Sequence, residues 1–113
     1  MFKTYEIKYA YSSRNDIREI KQYILQTFKY RELGENFTRK IKEAARTLKT
    51  MPAGYGTTGF CYKGYDIHVK SYRTYLLFYV VDEKEKTVTI LRVLQDGMNW
   101  RYIIKRWLDE NNK

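Results

Sequence analysis

The chain has 113 residues, with 22 Lys and Arg against 13 Asp and Glu, for a formal net charge of +9 at pH 7. With 43% hydrophobic residues it can bury the core of one folded domain over residues 1–113, which excludes a disordered tail. No run approaches the roughly 20 apolar residues of a membrane span, and Met1–Tyr5 lacks the apolar core of a signal peptide, so a cytoplasmic protein without a membrane partner is expected. So strong a positive balance favours nucleic acid, ribosome or an acidic protein segment as partner, without choosing among them.

The elements read in chain order as follows. Phe2 to Tyr9 alternates, with Tyr5, Ile7 and Tyr9 on one face and Thr4, Glu6 and Lys8 on the other, as a strand does. Ser13 and Asp16 fit the Ser-x-x-Asp signature of a helix start, with Ser13 expected as the cap. Ile17, Ile20, Ile24 and Phe28 then recur at helical spacing as one apolar face. Arg31 to Gly34 reads as a short turn, and a second helix is predicted over about residues 35–50, burying Phe37, Ile41, Ala44, Ala45 and Leu48 until Pro52 and Gly54 end it. Two helices joined by a short turn should form an antiparallel hairpin.

Residues Ala53 to Gly59 hold Gly54, Gly56 and Gly59 without the spacing or terminal Lys of a phosphate-binding loop, so these glycines serve turns. Three strands follow. The first covers about residues 60–71, with a break at Gly64; the second, Tyr75 to Val81, is apolar throughout and suits a central position; the third is Thr87 to Leu94, after a polar turn. A final helix, about residues 98–108, carries a complete stripe of Trp100, Ile103, Ile104, Trp107 and Leu108. The expected fold is α+β: an antiparallel meander with an N-terminal strand, a helical hairpin on one face and a C-terminal helix, in the order β-α-α-β-β-β-α.

The single cysteine, Cys61, excludes an internal disulfide and leaves too few ligands for a zinc site, so no metal or other cofactor is expected. Cys61 and the only histidine, His68, stand seven residues apart in a strand region. A small packed thiol is the expected role for Cys61, rather than a nucleophile paired with a base.

Three stretches carry a family resemblance: residues 75–83 (YLLFYVVDE), 88–94 (VTILRVL) and 97–100 (GMNW). Together they resemble the C-terminal half of RelE/ParE toxins, with a Tyr-x-x-x-Tyr strand, an Asp-Glu turn, an Ile-Leu-Arg-Val-Leu strand and a Gly-led, Trp-ended close. The N-terminal half agrees in plan, and the resemblance spans nearly the whole chain. It implies the toxin of a bacterial type II toxin–antitoxin system, neutralised by a cognate antitoxin protein encoded beside it. RelE-like members bind the ribosomal A site and cut mRNA without a metal; ParE-like members poison DNA gyrase by binding.

Metal-free RNA cleavage needs a base for the 2′-hydroxyl, cations for the phosphorane and an acid for the leaving oxygen. The chain departs from the nuclease pattern at three customarily basic places. Leu76 follows the strand tyrosine, Gln95 and Asp96 precede the closing motif, and Met98 stands within it. Substitutes lie nearby. On the nuclease reading His68 or Lys70 is the base, Arg73 and Arg92 clamp the phosphate, and Tyr102 stacks on a base beside Arg101. Each has a plainer role: His68 as a hydrogen-bonded strand histidine, Lys70 and Arg73 as solvated cations or antitoxin contacts, Arg92 as one half of an ion pair. The large positive charge fits a ribosome target and places first a ribosome-dependent mRNA endonuclease that inhibits translation; the alternatives are a non-enzymatic gyrase inhibitor and a toxin fold that has lost activity.

Overall fold

The computed structural model describes residues 4–112, so Phe2 and Lys3 of the predicted first strand lie outside the described residues. Five strands and three helices follow in order: β1 (Glu6–Tyr9), α1 (Tyr11–Phe28), α2 (Arg31–Arg46), β2 (Thr57–Tyr62), β3 (Tyr65–Tyr72), β4 (Tyr75–Asp82), β5 (Thr87–Gln95) and α3 (Trp100–Asn111). Two short 3₁₀ turns, Thr47–Lys49 and Pro52–Gly54, join α2 to β2. The sheet runs β1-β5-β4-β3-β2. β2 to β5 form the antiparallel meander, and β1 joins it parallel to β5, from Glu6 opposite Thr87 to Tyr9 opposite Ile90.

Alternation along the apolar strand β4 builds two cores, one on each face of the sheet. Leu77, Tyr79 and Val81 face the helical hairpin, where they meet Ile17, Phe37, Ile41 and Leu48. Leu76, Phe78 and Val80 face the other way and are covered by Ile104 and Leu108 of α3. Trp100 packs on Phe78 and Trp107 on Tyr62, with ring centroids 5.3 and 5.0 Å apart. The stripe predicted for the last helix therefore docks as expected.

Several local expectations are corrected. The predicted strand over 60–71 is two strands: Lys63 and Gly64, both at positive φ, make the tight turn that a two-residue hairpin demands. Arg31 to Gly34 is helix rather than turn; the reversal sits at Lys29 and Tyr30, where Lys29 takes a left-handed φ of 63°. Gly34 is needed because α1 and α2 pass close together there, and a Cβ on it would stand 2.9 Å from Lys21 Cγ. Phe28 is exposed at the hairpin tip instead of completing the α1 apolar face.

Ser13 does not cap α1, which starts two residues earlier; its hydroxyl donates back to the Ala10 carbonyl at 2.7 Å. The reason lies in the sheet. β1 stops at Tyr9, so β5 beyond Ile90 has no strand partner on that side, and the β4–β5 register slips by one residue between Phe78 and Tyr79. The first turns of α1 supply the missing groups. Ser12 Oγ donates to the Leu91 carbonyl at 2.6 Å, and Asp16 accepts from the Val93 N–H at 2.9 Å and twice from Arg92. Residues that read as a local cap are consumed by tertiary bonds.

Candidate functional site

β3 places His68, Lys70 and Tyr72 on the hairpin face of the sheet, beyond the cover of α1 and α2. His68 lies opposite Tyr79 of β4 and stacks on it, with ring centroids 5.3 Å apart and planes 16° from parallel. Tyr79 is fully buried and donates its hydroxyl to the Pro52 carbonyl at 2.5 Å. Burial pushes the Tyr79 hydroxyl well above the ordinary tyrosine range, so it is a structural donor and not an acid.

That bond fixes the loop carrying Tyr55 over β3. His68 Nδ1 is 2.9 Å from the Tyr55 carbonyl oxygen. A carbonyl only accepts, so Nδ1 holds the proton, and in the neutral ring Nε2 is left as a free acceptor. Lys70 Nζ donates to the Tyr55 hydroxyl at 3.0 Å and sits 4.3 Å from the centre of its ring. At the end of β3, Arg73 turns at a left-handed φ of 54° and its Nε approaches the Tyr72 hydroxyl at 3.4 Å. Among the described residues neither Lys70 nor Arg73 joins an ion pair. The result is a strip of Tyr55, His68, Lys70, Tyr72 and Arg73, in which two cations and a potential base alternate with stacking surfaces.

The other predicted site residues do not join it. Arg92 lies two strands from β3, on β5 opposite Phe78 and about 10 Å across the sheet. Its guanidinium is held by Asp16 at 2.7 and 3.0 Å, with only 17% of its side chain exposed. Arg101 and Tyr102 open α3 on the opposite face; both are exposed, and Arg101 lies over the Trp100 ring at 4.6 Å. Leu76 is buried beneath α3, while Asp96 and Met98 are exposed in the β5–α3 turn. Cys61 is exposed on the edge strand β2, where its thiol donates to Asp66 at 3.3 Å, so the expected packed thiol is corrected and no pairing with His68 forms. Among the described residues no three His, Cys, Asp or Glu side chains converge as a metal would require, and no helix is long and apolar enough to cross a membrane.

Two participants carry no local signal in the sequence: Tyr55 stands among the loop glycines, and Asp16 fits a capping signature. Only knowledge of which strand α1 crosses would have exposed Asp16 as the partner of Arg92.

No curated protein matches the chain in sequence. Solved structures resemble it in fold. A chromosomal ParDE toxin–antitoxin system from P. aeruginosa superposes with a TM-score of 0.68 at 15% identity, over 83% of this chain and 98% of that one. A RelBE toxin–antitoxin complex from Mycobacterium tuberculosis gives 0.59 at 19% identity, over 87% and 98%. An archaeal RelE–RelB complex from Pyrococcus horikoshii gives 0.52 at 19%, over 83% and 97%. In sequence, residues 7–100 match the ParE toxin of the type II toxin–antitoxin system parDE. That match runs from β1 to the first residue of α3, and by it the chain belongs to the ParE toxin family.

Proposed function

We propose that this chain is a toxin that acts by binding, with DNA gyrase as its target, and that an antitoxin protein encoded beside it keeps it silent in the bacterial cytoplasm. The observation that carries the reading is the engagement of Arg92 with Asp16. Phosphoryl-transfer chemistry needs cations aimed at one point, and here the four assigned cations are divided. Arg92 serves the α1–β5 contact, Arg101 is on the far face of the sheet, and only Lys70 and Arg73 stay beside His68. Membership of the ParE family supports the same reading.

A second reading, ribosome-dependent mRNA cleavage, draws on the strip along β3. His68 presents Nε2 as a possible base and Tyr55 and Tyr72 offer stacking faces, with Lys70 and Arg73 as the phosphate ligands. Two experiments separate the readings. Purified chain is added to DNA gyrase in a supercoiling assay, and new RNA 5′ ends are mapped minutes after inducing the chain without its antitoxin. Inhibited supercoiling with intact messages is the expected result. Codon-phased cuts with unaffected gyrase would overturn it and make His68, Lys70 and Arg73 the first residues to mutate. Growth without arrest would point to a member whose toxicity is lost.

A further inference from the structure

A cavity of about 290 Å³ opens between the two helices of the hairpin, lined by Arg18, Lys21, Gln22 and Leu25 of α1 and by Arg31 and Gly34 of α2. Gly34 shapes it. The glycine is buried, and the place its Cβ would take is 2.9 Å from Lys21 Cγ and 3.7 Å from Lys21 Cε. The Lys21 side chain therefore lies along the bare backbone of α2, and its ammonium is carried towards the second helix. Arg18 stands one turn before Lys21 on α1, and Arg31 one turn before Gly34 on α2, so each helix brings cations to the same space.

Charge is unbalanced there. Arg39, Arg92 and Arg106 sit against carboxylates, those of Glu43, Asp16 and Glu110. The three cations of the cavity do not: among the described residues none of them joins an ion pair, and no lining residue is acidic. The Arg18 guanidinium bonds to the neutral Asn15 side chain. Three like charges around one small space repel one another, and a chain at +9 adds to that field. An anion seated among them removes the repulsion, and a dianion does so most fully.

Size and lining narrow the class of anion. The volume is close to the lower limit, roughly 300 Å³, of small-molecule pockets, which suits one small molecule and not a folded partner. Leu25, 43% exposed, supplies an apolar wall. The guanidinium faces of Arg18 and Arg31 are planes on which a flat ring can stack, while their edges and the Lys21 ammonium donate to oxygen.

From this convergence we infer that the cavity between α1 and α2 binds a small phosphate monoester with a flat organic body, of the nucleoside monophosphate class. Arg18, Lys21 and Arg31 hold the phosphate oxygens by charge-assisted hydrogen bonds, and the organic body lies against Leu25. A ligand seated there ties α1 to α2 beside the hairpin tip, where every residue from 25 to 33 is exposed. The inference does not depend on whether gyrase or RNA is the target.

The test is a titration of the whole chain followed through its backbone amides by NMR. Adenosine 5′-monophosphate is the probe, and adenosine is its uncharged comparison. The monophosphate should shift the amides of Arg18 to Leu25 and of Arg31 to Gly34 saturably, and bind at least about tenfold more tightly than adenosine, with an advantage that shrinks as salt rises. The double variant K21Q/R31Q, checked for unchanged circular dichroism, should weaken that binding at least about tenfold. K84Q/K105Q removes the same charge at exposed positions elsewhere and should bind as wild type does. Equal binding of adenosine, unchanged affinity in K21Q/R31Q, or an equal loss in K84Q/K105Q would each overturn the assignment. So would displacement of the monophosphate, at a lower phosphate concentration, by an oligothymidylate or by phosphatidylglycerol vesicles, which would give these cations to nucleic acid or to a membrane surface.

Discussion

Asp16 is the residue whose removal should cost the fold most for its size. Its carboxylate accepts two bonds from Arg92 and one from the Val93 N–H, and both side chains are largely withdrawn from water, at 9% and 17% exposure. Deleting one member of a buried pair costs about 3–5 kcal/mol, because the other charge is stranded. Some water reaches the guanidinium, which places Asp16→Ala near the lower end, at about 3 kcal/mol, including the orphaned Val93 N–H. Arg92→Met keeps the packed stem and leaves Asp16 its Val93 bond, so about 2 kcal/mol is expected. The double variant strands neither charge and should cost less than the sum by at least about 1 kcal/mol. With a urea m-value of roughly 1.5 kcal/mol/M for a small domain, Asp16→Ala should lower the midpoint by about 2 M. A loss below about 1 kcal/mol for Asp16→Ala, or strictly additive single effects, would show that water screens the pair and that it does not anchor α1 to β5. The result also governs how a loss of toxicity in Arg92→Ala is read: without a stability measurement, it says nothing about chemistry.

Two further outcomes concern titratable groups. Tyr79→Phe should cost about 1–2 kcal/mol at neutral pH by leaving the Pro52 carbonyl unpaired, and should speed proteolysis or hydrogen exchange in residues 51–56. The folded Tyr79 hydroxyl is raised by burial, so its neutral form carries stability that is complete below the unfolded value of about 10 and declines as pH rises above it. The gap between wild type and Tyr79→Phe should therefore narrow in urea titrations above that pH, and a constant gap would contradict the assignment. Asp82 is held below the usual carboxylate range, first by the Glu85 N–H and also by the Tyr65 hydroxyl. Its contribution is present above the unfolded value of about 3.9 and is lost as pH falls through the lower folded value. Asp82→Asn should accordingly flatten the acid side of the stability profile, and parallel profiles would refute that.

Periodicity carried most of the architecture. The apolar run Tyr75 to Val81 is the central strand because both of its faces are covered, and the stripe from Trp100 to Leu108 lies on the sheet as its spacing requires. Errors cluster where a side chain's partner is remote in sequence. Ser12 and Asp16 bond to residues 79 and 76 or 77 positions away, so no local pattern reports them. The parallel placement of β1 beside β5 depended on the same long-range packing. The site divided in the same way. His68 and Lys70 share a face by strand alternation, which the sequence displays, whereas Arg92, Arg101 and Tyr102 needed knowledge of which helix covers which face.

Leu76 gives the sharpest test of the departure from the nuclease pattern. RelE-like nucleases often carry Arg at the corresponding place, so Leu76→Arg is the obvious attempt to restore activity. Alternation along β4 argues against success. Leu76 is 8% exposed and faces Leu94 and the α3 side of the sheet, while His68 and Lys70 are on the other side. An arginine there must either carry its charge under α3 or displace the helix. Leaving a charge in an apolar layer without a partner costs several kcal/mol, so Leu76→Arg should lower stability by about 2–4 kcal/mol even if the guanidinium reaches the rim. RNA cleavage should stay at the wild-type level, because the added cation does not approach His68. The measurements are the urea midpoint and cleavage of message on programmed ribosomes by the same preparation. Codon-phased cutting gained at unchanged stability would show that α3 yields readily and that the sheet face beneath it, not the strip along β3, is where this fold does chemistry.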